Sequence, residues 1–142
     1  MAVTYTDYLE NLTADQLEGF FVGWPTHPDE EAHIRILAGS CKVWLAMEGS
    51  QCVGRINAIS DGVFYAYIPL LEVLPAYQGK GIGRELVERM LKSLSNMYAI
   101  DLQCDEALES YYHQLGFLST IGMSIRNYEH QGADGQIINS ST

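Results

Sequence analysis

Positive charge is scarce in this sequence. Eight Lys and Arg stand against eighteen Asp and Glu, for a net charge of −10. A nucleic-acid binder needs a basic stripe to displace counterions, so the balance argues against that class. Cysteine is scarce as well. Cys41, Cys52 and Cys104 are odd in number, widely spaced and form no CxxC. That excludes a disulfide framework or zinc knuckle and fits a reducing cytoplasm. No apolar run reaches the roughly 18 residues of a membrane span. The start, MAVTYTDYLE, has no basic stretch followed by an apolar one, so no secretory leader is expected. There is no internal repeat, and no low-complexity stretch before the last dozen residues.

What remains suits one domain. The chain has 142 residues, 47% hydrophobic and 18% charged, enough to bury a core. Residues 1–130 are expected to form that domain. Residues 131–142, QGADGQIINSST, are small and polar and are expected to fray.

Residues 3–9 alternate weakly, as an opening strand would. Asn11 and Thr13 start a short helix to about Gly23, with Leu17, Phe20 and Phe21 on one side. Pro25 and Pro28 break it. Asp29, Glu30 and Glu31 then suit a first helical turn, because a helix N-terminus favours negative charge. Residues 43–47 and 51–59 flank a Glu48-Gly49-Ser50 turn and read as an antiparallel hairpin. Asp61-Gly62 is a turn signal. Residues 63–74 are almost wholly apolar or aromatic and predict a central strand buried on both faces. Pro69 lies inside it and predicts a bulge or local splaying, because proline cannot donate to the ladder. Leu86, Val87, Met90, Leu91 and Leu94 make one apolar helical stripe. Residues 99–103 predict a strand, and Asp105 caps a helix to Leu115 with Gly116 past its end. Residues 123–128 predict a last strand. The order indicates a mixed α/β (α+β) domain.

Four of the eight cations (Lys80, Arg84, Arg89 and Lys92) fall within thirteen residues. A local positive segment on an acidic chain suggests a small anionic ligand. Glu85–Arg89 and Glu88–Lys92 spacing equally suits a solvated helix face. The chemistry concentrates in residues 71–86, LEVLPAYQGKGIGREL. A buried strand ends, the chain turns through three glycines, and an amphipathic helix begins. Such a turn offers unpaired N–H donors and a partial positive charge to a phosphate. A P-loop needs GxxxxGK followed by Ser or Thr, and a dinucleotide fingerprint needs GxGxxG; neither spacing is met. A glycine turn without a ligand is the bland alternative.

Gln78-x-x-Gly81-x-Gly83 resembles the (Arg/Gln)-x-x-Gly-x-(Gly/Ala) acetyl-CoA motif of the GCN5-related N-acetyltransferases, the GNAT superfamily. Val73 and Pro75 precede it at familiar places. Residues 108–117, LESYYHQLGF, resemble the family's second motif, a Tyr on the following helix before a Gly-Phe pair. The resemblance covers about residues 42–128 and implies a three-layer fold. Its central mixed, mostly antiparallel sheet splays between the fourth and fifth strands, with helices on both faces. It also implies acetyl-CoA as co-substrate and no metal. The backbone of Leu71, Glu72 and Val73 would pair with pantetheine. Gln78, Gly79, Lys80, Gly81, Ile82, Gly83 and Arg84 would hold the pyrophosphate. Tyr112 would protonate the leaving thiolate. Asp105 stands where many relatives have a cofactor-contacting Asn.

The reaction so implied is acetyl transfer to a primary amine by direct attack on the thioester. The amine, with a free pKa of about 10.4, must first lose a proton. Glu72 is the candidate base, because a carboxylate in an apolar run is unusual; an outward-facing strand residue is its plain alternative. Tyr112 shares a helical face with Leu108, Tyr111 and Leu115, so core packing is the alternative to its acid role. The acidity hints at a cationic small molecule or peptide as acceptor. The short C-terminal end leaves a sheet edge open for a second copy, which predicts a dimer. Two rival functions remain: a CoA-binding sensor module without transfer, and a nucleotide- or phosphate-binding protein of another fold.

Overall fold

A computed structural model describes residues 2–134. The strands β1 (Thr4–Thr6), β2 (Lys42–Glu48), β3 (Gln51–Ser60), β4 (Tyr65–Val73) and β5 (Ala99–Leu102) form one sheet in that order. The first four pair antiparallel, and β5 joins β4 in parallel. The helices are α1 (Glu30–Ala38), α2 (Ile82–Ser93) and α3 (Glu109–Gln114).

The alternation of side chains along β2 and β3 divides the core between two faces. On one face Leu17, Phe20, Phe21 and Leu37, from α1 and the segment before it, cover Val43 and Leu45. On the other, Ile82, Leu86, Val87, Met90 and Leu94 of the α2 stripe join Tyr112 over Ile56, Ala58, Ala66 and Ile68. Helices thus lie on both faces of a mixed sheet, as expected. Gly54 on β3 lets α2 sit close. A Cβ there would stand 3.2 Å from Leu86 Cδ1 and 3.3 Å from Ile82 Cγ2. Asp29 caps α1 by accepting from the Ala32 N–H at 2.8 Å.

The bulge, one of the two alternatives predicted at Pro69, is present. Ile59 pairs with Tyr67 and Asn57 with Leu70, so β4 carries one extra residue at Ile68–Pro69. The Asn57 side-chain oxygen repairs the ladder by accepting from the Leu70 N–H at 3.1 Å, while its Nδ2 donates to Ser40 Oγ at 2.9 Å. On the opposite edge, pairing with β5 runs only from Tyr65 to Ile68. From Pro69 onward β4 has no paired strand on that side, since β5 ends at Leu102, and a gap in the sheet begins there.

Four expectations need correction. The N-terminal helix is only a four-residue 3-10 turn, Ala14–Leu17, because Glu18 turns extended and Gly19 takes left-handed backbone straight afterwards. The helix expected from Asp105 begins as a 3-10 turn, Glu106–Leu108, before α3, and the Asp105 side chain makes no cap hydrogen bond. β4 is not buried on both faces: only Ala66 and Ile68 are buried, since the strand beyond has no partner on one side. The last strand is absent. Residues 117–127 run without regular structure, and Ile121, Met123 and Ile125 are each at least 88% exposed. The expected tail is described only to residue 134; residues 135–142 lie outside the described part.

Candidate functional site

The split in the sheet exposes one edge of β4. Leu74 N–H donates to the Val53 carbonyl at 2.8 Å, and Leu70 N–H donates to Asn57. These residues turn their main chain toward β3. By strand alternation Glu72 does so too, while Leu71 and Val73 turn theirs into the gap. Two of the three expected pantetheine-pairing residues thus face the gap with their main chains. Gln78 folds back on this edge and donates from Nε2 to the Val73 carbonyl at 2.9 Å.

The chain then turns into α2. Gly79 and Gly81 have φ of 77° and 84°, a left-handed conformation that side chains rarely adopt. Gly81 is the N-cap of α2 and brings no side chain to it. The first helical bond runs from Glu85 N–H to the Gly81 carbonyl at 3.1 Å. The amides of Ile82, Gly83 and Arg84 precede it and have no helical acceptor. This is a donor cluster at the positive end of a twelve-residue helix, suited to phosphate oxygens.

The nearby cations are less committed to that turn than their sequence positions suggest. Arg84 donates to Glu88 at 2.7 Å, and Arg89 donates to Glu85 at 2.8 Å. Arg89 also stacks over Tyr5 and Trp44, at 4.7 and 5.0 Å from the ring centres. Lys80 lies over the Tyr77 ring at 5.4 Å. The helix-face alternative therefore describes Arg84 and Arg89, with Arg84–Glu88 in place of the anticipated Glu88–Lys92. What the turn itself offers an anion is mainly its backbone amides.

Tyr112 is 8% exposed and packs edge-to-face between Tyr111 and Phe117. Burial, with Tyr111 and Cys104 nearby, pushes its phenol up to about 12. It lines an open cavity of about 410 Å³ at the end of β5, with Cys104, Glu109 and His113. The hydroxyl of the adjacent Tyr111 points to the start of α2 instead, 3.8 Å from where a Cβ on Gly83 would stand. Asp105 is exposed beside the start of α3. The described residues contain no group of His, Cys, Asp and Glu able to hold a metal.

Glu72 is not free to meet an amine. Its Oε1 accepts from the Phe21 N–H at 2.9 Å and its Oε2 from the Val22 N–H at 3.1 Å. Arg55 Nη2 adds a third donor at 3.4 Å. Arg55 itself is 1% exposed, donates from Nε to His33 Nε2 at 2.9 Å, and packs against the Phe20 and Phe21 rings. Burial, followed by the Arg55 charge, holds the His33 imidazole down to about 3, so it is neutral and able to accept. Burial lowers Arg55 to about 10 against the raising effect of Glu72, so the guanidinium stays charged at neutral pH. Sequence reasoning missed Arg55 and His33. The available signal was Arg55 itself, a lone cation inside the apolar strand 52–59.

The family model of the acetyltransferase (GNAT) domain matches residues 8–129. A solved structure of a candidate acetyltransferase from Deinococcus radiodurans R1 superposes with a TM-score of 0.89 at 39% identity, covering 92% of each chain. GCN5-related N-acetyltransferase 1, chloroplastic, of Arabidopsis thaliana is 30% identical over 115 residues, 78% of this chain and 58% of the relative. Serotonin N-acetyltransferase 2, chloroplastic, of Oryza sativa subsp. japonica is 34% identical over 102 residues, 68% of this chain and 50% of the relative. The chain spans about half the length of these plant relatives.

Proposed function

Since the chain belongs to the GNAT acetyltransferase family, we propose that it is an acetyl-CoA-dependent N-acetyltransferase acting on a primary amine. The observation that carries this reading is the continuity of a β4 edge with no strand beside it, the Gly79–Gly81 turn and the free amides of α2. An extended amide chain ending in a pyrophosphate needs that succession: strand-like partners first, then a cluster of N–H donors. Bound acetyl-CoA supplies an activated acetyl thioester. Leu71 and Val73 hold the extended arm through their main chains. Gly79, Lys80, Gly81, Ile82, Gly83 and Arg84 surround the phosphates, with the amides doing most of the binding. Gln78 braces the edge at Val73. Asp105, beside α3, is a peripheral contact.

Tyr112 is the acid in this reading. Its phenol keeps its proton throughout the neutral range; full transfer to a thiolate, of pKa about 8.5, is uphill, so the phenol acts by hydrogen-bonding the sulfur as the C–S bond breaks, and water completes the protonation. The amine's proton goes to water, because three donors already occupy Glu72. The net charge of −10 favours a cationic small molecule or basic peptide as acceptor and disfavours nucleic acid. The open β5 edge and the exposed Ile121, Met123 and Ile125 support a homodimer, to be tested by sedimentation mass at micromolar concentration. Three cysteines without a disulfide among the described residues fit a reducing compartment such as the cytoplasm.

The test is calorimetric titration with acetyl-CoA against CoA, ATP and NAD, then thiol release with spermidine, kanamycin and a lysine peptide. Micromolar acetyl-CoA binding with amine-dependent thiol release is expected. Binding with no thiol release for any amine would leave a CoA-binding module. Preference for ATP or NAD would refute the acetyl-CoA reading.

A further inference from the structure

We propose that Glu72 is a positioning residue that fixes residues 18–24 beside the gap in the sheet, where they bound the amine's approach. This rests on the acetyl-transfer reading above. Glu72 occupies a particular junction. Its neighbours Leu71 and Val73 turn their main chains into the gap, while its side chain leaves the strand on the face covered by α1. There each carboxylate oxygen takes one N–H from consecutive residues, Phe21 and Val22. Two adjacent amides gripping one anion require a bent backbone. Phe21 supplies the bend with φ of 64°, which a bulky side chain adopts only when its surroundings enforce it.

The enforcement comes from Arg55 and His33. The Phe21 ring lies 5.0 Å from the Arg55 guanidinium centre and 4.9 Å from the His33 ring. The Trp24 ring stands on Phe21 at 4.9 Å. A single polar line therefore joins α1 (His33), β3 (Arg55), β4 (Glu72) and the segment ending at Trp24. Helices α2 and α3 cover the other face of the sheet, and in this proposal the amine comes to the gap on the face that residues 18–24 occupy. Val22 and Trp24, 55% and 40% exposed, form its rim. A carboxylate used in this way sets where the amine sits and does not take its proton.

The experiment compares wild-type protein with Glu72→Gln by amide hydrogen exchange and by steady-state kinetics with the best amine of the panel. Glutamine keeps the size but turns an N–H toward one of the two amides. In the wild type, the Phe21 and Val22 amides should exchange at least tenfold slower than free peptide. In the variant that protection should fall to near the free rate. The KM for the amine should rise tenfold or more, with KM for acetyl-CoA and the pH profile of kcat within twofold of wild type. Free exchange at both amides in the wild type overturns the proposal, whether or not the variant folds. So does a hundredfold loss of kcat with an abolished acidic limb and unchanged amine KM, which would restore Glu72 as base. If no amine releases thiol, the acetyl-transfer reading fails, and amide exchange still decides for or against the clamp.

Discussion

Arg55 Nε and His33 Nε2 lie 2.9 Å apart in the core, so an unprotonated imidazole is built into the folded state. Protonating His33 would remove the acceptor and set two positive charges together. Its depressed value, about 3 against 6.5, fixes the sign: the contribution is complete above about 6.5 and is lost as pH falls toward 3. Over that window each pH unit should weaken folding by up to tenfold. Denaturant unfolding between pH 7 and pH 4 checks this. His33→Gln, which offers an acceptor but does not titrate, should show a shallower fall. Parallel pH curves for the two proteins would refute it.

The ion pair on the other side of Arg55 makes a second prediction. Arg55→Met removes the buried cation and leaves Glu72 with its two backbone donors. A broken buried pair of this kind costs about 3 kcal/mol. Glu72→Gln in the Arg55→Met background should cost less than Glu72→Gln alone, because the two side chains touch. A double-mutant cycle by denaturant unfolding measures the coupling, and strict additivity would count against the network.

The fold was legible where local chemistry agrees with tertiary packing. The α2 stripe and the hairpin of β2 and β3 formed as their periodicities implied, and Pro69 marked the split in the sheet. Expectations failed where one residue in an unusual conformation decided the outcome. The N-terminal helix pattern ends early at Leu17, where Glu18 is extended and Gly19 left-handed, and Phe21 at φ of 64° bends the chain again, a conformation that nothing in the identity of Phe announces. The pattern over residues 123–128 has the alternation of a strand, yet a strand needs a neighbour, which alternation alone does not supply. In the candidate site, the left-handed turn at Gly79 and Gly81 was legible as a glycine turn before a helix, whereas Tyr112 was singled out by the family resemblance. The tie between Glu72 and residues 21–22 was not, because it spans about fifty positions and uses backbone donors that any sequence possesses.

Gly81 tests the proposed phosphate site. Its φ of 84° lies in open space, so an added Cβ meets no neighbour and strains only the backbone. Gly81→Ala should cost about 1 kcal/mol of stability. The shifted turn should misdirect the amides of Ile82 and Gly83 and raise the acetyl-CoA dissociation constant tenfold or more. Calorimetric titration beside thermal unfolding separates the two effects. Unchanged acetyl-CoA affinity at reduced stability would make the turn merely structural.

The acid role proposed for Tyr112 is testable in two ways, because the residue is buried. No hydrogen bond to its hydroxyl occurs among the described residues, so Tyr112→Phe removes little that supports the fold. Stability should change by less than about 1 kcal/mol, while kcat should fall by roughly 10² to 10⁴ if the phenol hydrogen-bonds the leaving sulfur. The pH dependence follows from the raised value. Tyr112 is protonated in the folded chain up to about 12, against 10.0 when unfolded. Its contribution to stability is therefore complete below pH 10 and is lost as pH rises through 12. The same burial means that Tyr112 should give no alkaline limb to kcat below pH 10. Thiol-release assays from pH 6 to 10 on wild type and Tyr112→Phe, with Tyr111→Phe as control, check both points. Full turnover by Tyr112→Phe would transfer the role to water or to Tyr111, whose hydroxyl stands near Gly83. A wild-type limb near pH 9 that vanishes in Tyr112→Phe would instead mean that the phenol is solvated during turnover, with the 410 Å³ cavity beside it as the path for water.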